Sequence, residues 1–140
     1  MKVKYWKHAG LECFVEKRLG HYCGYVEVPK DHPAHGLSYD EIDVDVHGGL
    51  TYGQVSDNGT IFGFDCAHVG DFVPSIVIFL GGKTWKKNKQ KILREMTDEE
   101  AQRMADKYGE HYWTLEEVVE ETNCLAEQLK EWGKEWKNTA

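Results

Sequence analysis

Two short stretches of this 140-residue chain concentrate side chains able to do chemistry: His47-Gly48-Gly49-Leu50-Thr51-Tyr52 and Gly63-Phe64-Asp65-Cys66-Ala67-His68-Val69-Gly70-Asp71. Each mixes glycine, which lets a ligand approach the backbone, with His, Asp, Thr or Tyr. Backbone N–H groups around Gly48 and Gly49 could form an anion nest for a phosphate. His47, Asp65, Cys66, His68 and Asp71 are all permissible zinc ligands. The spacing D-C-x-H-x-x-D matches no usual zinc pattern, however, and in a strand Asp65 and Cys66 point to opposite faces. We therefore expect neither a metal nor a cofactor.

A Cys66 nucleophile would need a base within about 3 Å, supplied by His47 from a neighbouring strand. The plainer reading makes Cys66 a small buried hydrophobe. No residue is assigned a catalytic role on this basis. His8, His21, His32, His35 and His111 read as surface residues.

These residues must be positioned by a mostly β framework. Residues 11–18 and 22–28 are rich in aromatic and β-branched types and flank Leu19-Gly20-His21 as a hairpin would. Residues 30–40 read as a loop, and residues 41–47 as a strand with Ile42, Val44 and Val46 on one face. Residues 50–55 and 60–66 flank Ser56-Asp57-Asn58-Gly59, whose Asn-Gly step is a hairpin signal. Residues 72–80 are a candidate sixth strand.

The last third is helical. Thr97-Asp98-Glu99-Glu100 and Thr114-Leu115-Glu116-Glu117 are capping boxes, each preceded by a staple residue, Met96 and Trp113. The first helix should end near Gly109. The second carries Leu115, Val118, Thr122, Leu125, Leu129, Trp132 and Trp136, a seam that suits a facing helix in a homodimer. Packing against the chain's own sheet would use the same seam. The expectation is thus α+β: an antiparallel sheet of about six strands followed by two C-terminal helices, the second at a dimer interface.

Composition sets the outer bounds. With 41% hydrophobic and 29% charged residues, the chain reads as a single domain, residues 1–140, and not a disordered or collagenous one. It divides into a β-rich part (1–80), a basic connector (81–96, net +5) and an acidic helical part (97–140, net −7). An acidic body argues against general nucleic-acid binding. No apolar run reaches the ~20 residues of a membrane span. A start without a signal-peptide core, and four cysteines without a CxxC pair, imply a cytoplasmic protein with reduced thiols.

The succession GHYCGYVEVPKDHPAHG, VHGGLTYG, IFGFDCAHVGD and YWTLEEVVEETNCLAEQL, across residues 20–129, resembles a widespread family of small phage- and prophage-encoded proteins. The layout is similar to the Thoeris anti-defence sponge proteins of phages, which sequester a cyclic ADP-ribose signal without cleaving it. The resemblance implies a cytoplasmic protein of an infected or lysogenic bacterium that binds a nucleotide immune signal, cyclic ADP-ribose-type or a cyclic oligonucleotide. It implies a ligand site drawn from His47, Gly48, Gly49, Thr51, Tyr52, Phe64, Asp65, His68, Asp71, Trp85 and Arg94. Within it Gly48, Gly49 and Thr51 would meet phosphate, and Tyr52, Phe64 or Trp85 would stack on the base. Asp65 or Asp71 would accept from ribose hydroxyls, and Arg94 or a lysine of 83–91 would offset charge. Two alternatives stay open: a small hydrolase or phosphodiesterase using His47, Asp65, His68 and Asp71, and an inhibitor that blocks a host protein through a surface.

Overall fold

The computed structural model describes residues 2–18, 20–74 and 96–139, with side chains described as far as Trp132. Five antiparallel strands form one sheet in the order β1-β2-β3-β5-β4: β1 (Lys2–His8), β2 (Leu11–Arg18), β3 (His21–Pro29), β4 (Tyr52–Val55) and β5 (Gly59–Asp65). Helices α1 (Asp98–Tyr108) and α2 (Leu115–Thr139) follow. The α+β class therefore holds, with five strands in place of six.

Two expectations about strands need correction. Residues 2–8, read only as a start without a signal-peptide core, form edge strand β1, where lysines discourage pairing with another chain. It turns into β2 through Ala9-Gly10, both at positive φ (53° and 81°), the backbone a two-residue hairpin with right-handed twist requires. Residues 42–46 keep their in–out alternation, with Ile42 and Val46 buried, but join no strand. Their polar backbone is met by helix side chains instead. Gln128 Nε2 donates to the Asp45 carbonyl (2.8 Å) and its Oε1 accepts from Asp45 N–H (2.7 Å). The candidate strand at 72–80 lies almost wholly outside the described residues.

The Asn58-Gly59 step does turn the β4–β5 hairpin, for a different reason than the one its type suggested. No residue of Ser56-Asp57-Asn58-Gly59 has positive φ, and Gly59 instead passes against β3. A Cβ there would lie 1.8 Å from the Val28 carbonyl oxygen.

Both capping boxes are present. Thr97 Oγ1 accepts from Glu100 N–H (3.1 Å) while Glu100 Oε1 accepts from Thr97 N–H (3.0 Å), and Gly109 closes α1 at φ 68°. Thr114 and Glu117 repeat the exchange for α2. Helix α2 lies across β1–β3, burying Val118, Thr122, Leu125, Ala126 and Leu129 against Cys13, Val15, Val26, Val28, Phe62 and Phe64. The heptad seam is thus consumed by the chain's own sheet as far as Leu129, and no second copy is needed to cover it. Trp136 lies outside the described side chains. Burial on this scale, at about 1.5–3 kcal/mol per large apolar side chain, holds the layers together. No helix among the described residues is long and apolar enough to cross a membrane.

Candidate functional site

The sheet ends, at the C-terminus of β5, in three converging loops: residues 47–51, 65–72 and 110–113. Backbone hydrogen bonds stitch the last two together, from His111 N–H to the Gly70 carbonyl (2.9 Å) and from Phe72 N–H to the His111 carbonyl (2.8 Å). The first is tied to α2, since His47 N–H donates to Glu121 Oε2 (2.9 Å).

His47 and Asp71 form the centre. His47 Nε2 lies 2.7 Å from Asp71 Oδ2, which also accepts from His68 N–H at 2.9 Å. Asp71 is nearly buried, so these two donors are what make its carboxylate tolerable there. With the carboxylate as acceptor, His47 Nε2 is the donor of this hydrogen bond. The His47 ring packs on Trp113 (centroids 4.3 Å apart) and meets the His68 ring edge-on at 5.4 Å.

A second His–Asp pair sits beside the first. His68 Nε2 is 3.1 Å from Asp65 Oδ1. This is ion-pair distance without hydrogen-bond geometry. Asp65 Oδ1 accepts from Ala67 N–H (3.2 Å), and Oδ2 accepts a long 3.4 Å hydrogen bond from Thr51 Oγ1. Gly48 makes this packing possible: a Cβ on it would lie 2.1 Å from His68 Nε2, and its φ of 69° is left-handed. Gly49 N–H is already bonded to the Val46 carbonyl (2.9 Å), so one donor of the expected phosphate cradle is occupied by the turn.

The cluster therefore unites His47, Gly48, Gly49, Thr51, Asp65, His68 and Asp71. It does not include Tyr52 or Phe64. Tyr52 packs on the sheet face away from α2, edge-on to Tyr25 at 5.4 Å, with its hydroxyl on Gln54. Phe64 is 1% exposed in the core and presents no ring face to a ligand. Trp85 and Arg94 lie outside the described residues.

Cys66 is buried under α2, and that burial, aided by the Asp71 carboxylate, pushes its thiol well above the usual range. It is not poised as a nucleophile. Among the described residues, no three His, Cys, Asp or Glu side chains are arranged to hold a metal ion.

Four residues belong here that the sequence did not reveal: Trp113, His111, Glu117 and Glu121. His111 Nε2 lies 2.8 Å from Glu117 Oε2, the carboxylate whose other oxygen caps α2. The signal was the capping box itself, because a helix start fixes where residues just before it and one turn inside it must lie. Among the described residues, Asp65, Asp71, Glu117 and Glu121 are gathered here, and the site is rich in acceptors and poor in fixed positive charge.

No known protein family, curated protein or solved structure matches the chain.

Proposed function

We propose that the protein is a phage anti-defence protein that captures a nucleotide immune signal, cyclic ADP-ribose-type or a cyclic oligonucleotide, at the His47/Asp65/His68/Asp71 cluster and holds it without cleaving it. The observation that carries this reading is the preorganised His47–Asp71 pair with the Trp113 ring packed on the imidazole. Capture calls for fixed polar partners and an aromatic wall rather than a free nucleophile, and the two thiols nearby, Cys23 and Cys66, are buried. The carboxylates suit sugar hydroxyls.

The test is to incubate the purified protein with cyclic ADP-ribose isomers and cyclic oligonucleotides, remove free ligand, denature with heat and identify what is released by mass spectrometry. Stoichiometric return of an intact nucleotide supports capture, and Asp71→Asn should lower the yield at least about tenfold. A protein that returns nothing from the panel overturns the reading.

One observation favours a second reading, a small hydrolase. The same 2.7 Å His47–Asp71 contact orients an imidazole as a general base would require. Under that reading the released material is a converted product, and His47→Ala abolishes conversion while binding persists.

A further inference from the structure

Asn58-Gly59 is the one place in the sequence where an asparagine precedes a glycine. The side-chain amide carbon of asparagine is an electrophile, and the next backbone nitrogen reaches it most easily where that next residue has no side chain. Packing keeps a glycine here. A Cβ at Gly59 would lie 1.8 Å from the Val28 carbonyl oxygen, so β5 can run against β3 only without one.

Both reacting groups are left unengaged. Asn58 is exposed, and among the described residues its side-chain amide has no hydrogen-bond partner. The turn is held by Ser56 instead, whose Oγ accepts from Asn58 N–H (3.4 Å) and donates to Glu27 Oε2 (2.7 Å). One backbone hydrogen bond closes the turn, from Ser56 N–H to the Gly59 carbonyl (2.7 Å). The return bond from Gly59 N–H to the Ser56 carbonyl is not made, although a strand residue points both groups to the same side. Gly59 is buried against Val28 and Pro29, but the reaction runs within the chain, so only the exposed Asn58 amide must meet water. Asn123 is the contrast. Its Oδ1 accepts from Trp6 Nε1 (2.7 Å), and it lies inside α2, where the next N–H belongs to the helix ladder.

We infer that Asn58 is a site of spontaneous deamidation. The Gly59 nitrogen bonds to Asn58 Cγ, the side-chain nitrogen leaves, and the proton shed by Gly59 ends on the departing ammonia. Water then opens the cyclic imide at either carbonyl, giving aspartate or isoaspartate. One water enters and one ammonia leaves, with no change of oxidation state.

Either product adds a negative charge beside Asp57. Asn58 also lines an open cavity of about 340 Å³ with Tyr5, Lys7, Glu12 and Glu27, so the new carboxylate joins two others there against one ammonium. Isoaspartate further lengthens the main chain in the turn that sets the Val55↔Thr60 register of edge strand β4. The site stands at the end of the sheet opposite the His47–Asp71 pair, since β5 begins at Gly59 and ends at Asp65.

In the test, the full-length protein is aged in mildly alkaline buffer, one sample folded and one unfolded in urea. Both are digested, and the peptides holding Asn58 and Asn123 are scored by mass and by enzymatic isoaspartate methylation. We expect the folded protein to gain a mixture of isoaspartate and aspartate at 58. The rate there should exceed that at 123 by at least about tenfold, because the helix must open first. Asn58→Gln keeps an amide in the turn and should slow the change at least about tenfold, since its longer arm closes a less favourable ring.

Conversion in the unfolded chain but not in the folded one would show that the turn shields the step, which overturns the inference. Aspartate without isoaspartate would mean direct hydrolysis by water, and would overturn attack by Gly59. Equal rates at 58 and 123 would remove the role of the turn altogether.

Discussion

Two neighbouring cross-strand pairs set a glycine against an aromatic ring, one on each face of the sheet. On the face under α2, Gly24 of β3 pairs with Phe64 of β5. One residue along, on the face that no described helix covers, Tyr25 pairs with Gly63. The local solution is the same, a ring laid over a missing side chain. What differs is the second layer. A Cβ on Gly24 would meet Phe64 at 2.7 Å and also Thr122 Oγ1 of α2 at 2.2 Å. A Cβ on Gly63 would meet the Tyr25 ring at 2.4 Å, with Tyr52 edge-on beyond it. The covered face is backed by a helix, whereas on the other face Tyr25 is buried only by side chains of the sheet itself, stacked on Phe14 at 4.8 Å and edge-on to Tyr52. Depth of covering, and not the glycine–aromatic pair itself, should set the cost of a change.

The largest effect is expected where helix and sheet meet most fully. Leu125 is completely buried between them. Leu125→Ala should cost about 2–5 kcal/mol, read as a lower midpoint of urea unfolding with an unchanged slope. A loss under 1 kcal/mol would mean that α2 sits more loosely than its contacts imply.

The glycine pair tests the comparison directly. Gly24→Ala should cost about 1–3 kcal/mol, because both colliding groups are locked in the core. Gly63→Ala should cost less, about 1 kcal/mol, because the Tyr25 ring it would meet is backed by the Phe14 and Tyr52 side chains and by no helix. Equal losses in the same urea assay would show that the open face is as rigid as the covered one.

The same contrast governs what was legible in the sequence. Elements with a local chemical signature were readable: the capping boxes at Thr97 and Thr114, the stop at Gly109, and the hairpins around Gly20 and Asn58. Choices that depend on the second layer were not. The alternation of Ile42, Val44 and Val46 reports one apolar face, but it cannot say whether β-strand or helix side chains satisfy the backbone, and here Gln128 and Glu121 do. The α2 seam likewise reads the same whether its cover is a second copy or the chain's own sheet. Of the site, the HGG and GFDCAH-GD motifs identified the loops that converge. Phe64 was misplaced because its period-2 position put it on the covered face, while Trp113 was missed because only tertiary packing brings it near.

Thiol reactivity sharpens the contrast between inside and outside. Burial pushes the Cys13 and Cys23 thiols up to about 11, and Cys66 higher still, whereas Cys124 lies exposed on α2. At pH 8 a disulfide-exchange reagent should label Cys124 quickly and the other three only as fast as the protein opens. Rapid labelling of Cys66 in the native protein would revive it as a nucleophile and redraw the site around it.

The smallest effect separates the sheet end from both faces. Burial lowers the pKa of His21 below its ordinary 6.5, with the carboxylates of Asp65 and Asp71 opposing the shift. Above pH 6.5 the ring is neutral in both folded and unfolded chains, so it adds no pH dependence. Below that value the unfolded chain takes up a proton that the folded one resists, so the unfolded state binds more protons and stability falls with pH. The fall continues until pH reaches the depressed folded value. His21→Gln removes this contribution. Urea midpoints of the two proteins, compared between pH 8 and 5.5, should therefore keep a constant gap down to about 6.5. Below it the unmodified protein should lose stability faster than the variant. Parallel profiles would mean that His21 is as well solvated folded as unfolded. A divergence of opposite sign would mean that Asp65 and Asp71 outweigh burial, and that the imidazole is held protonated at the end of the sheet.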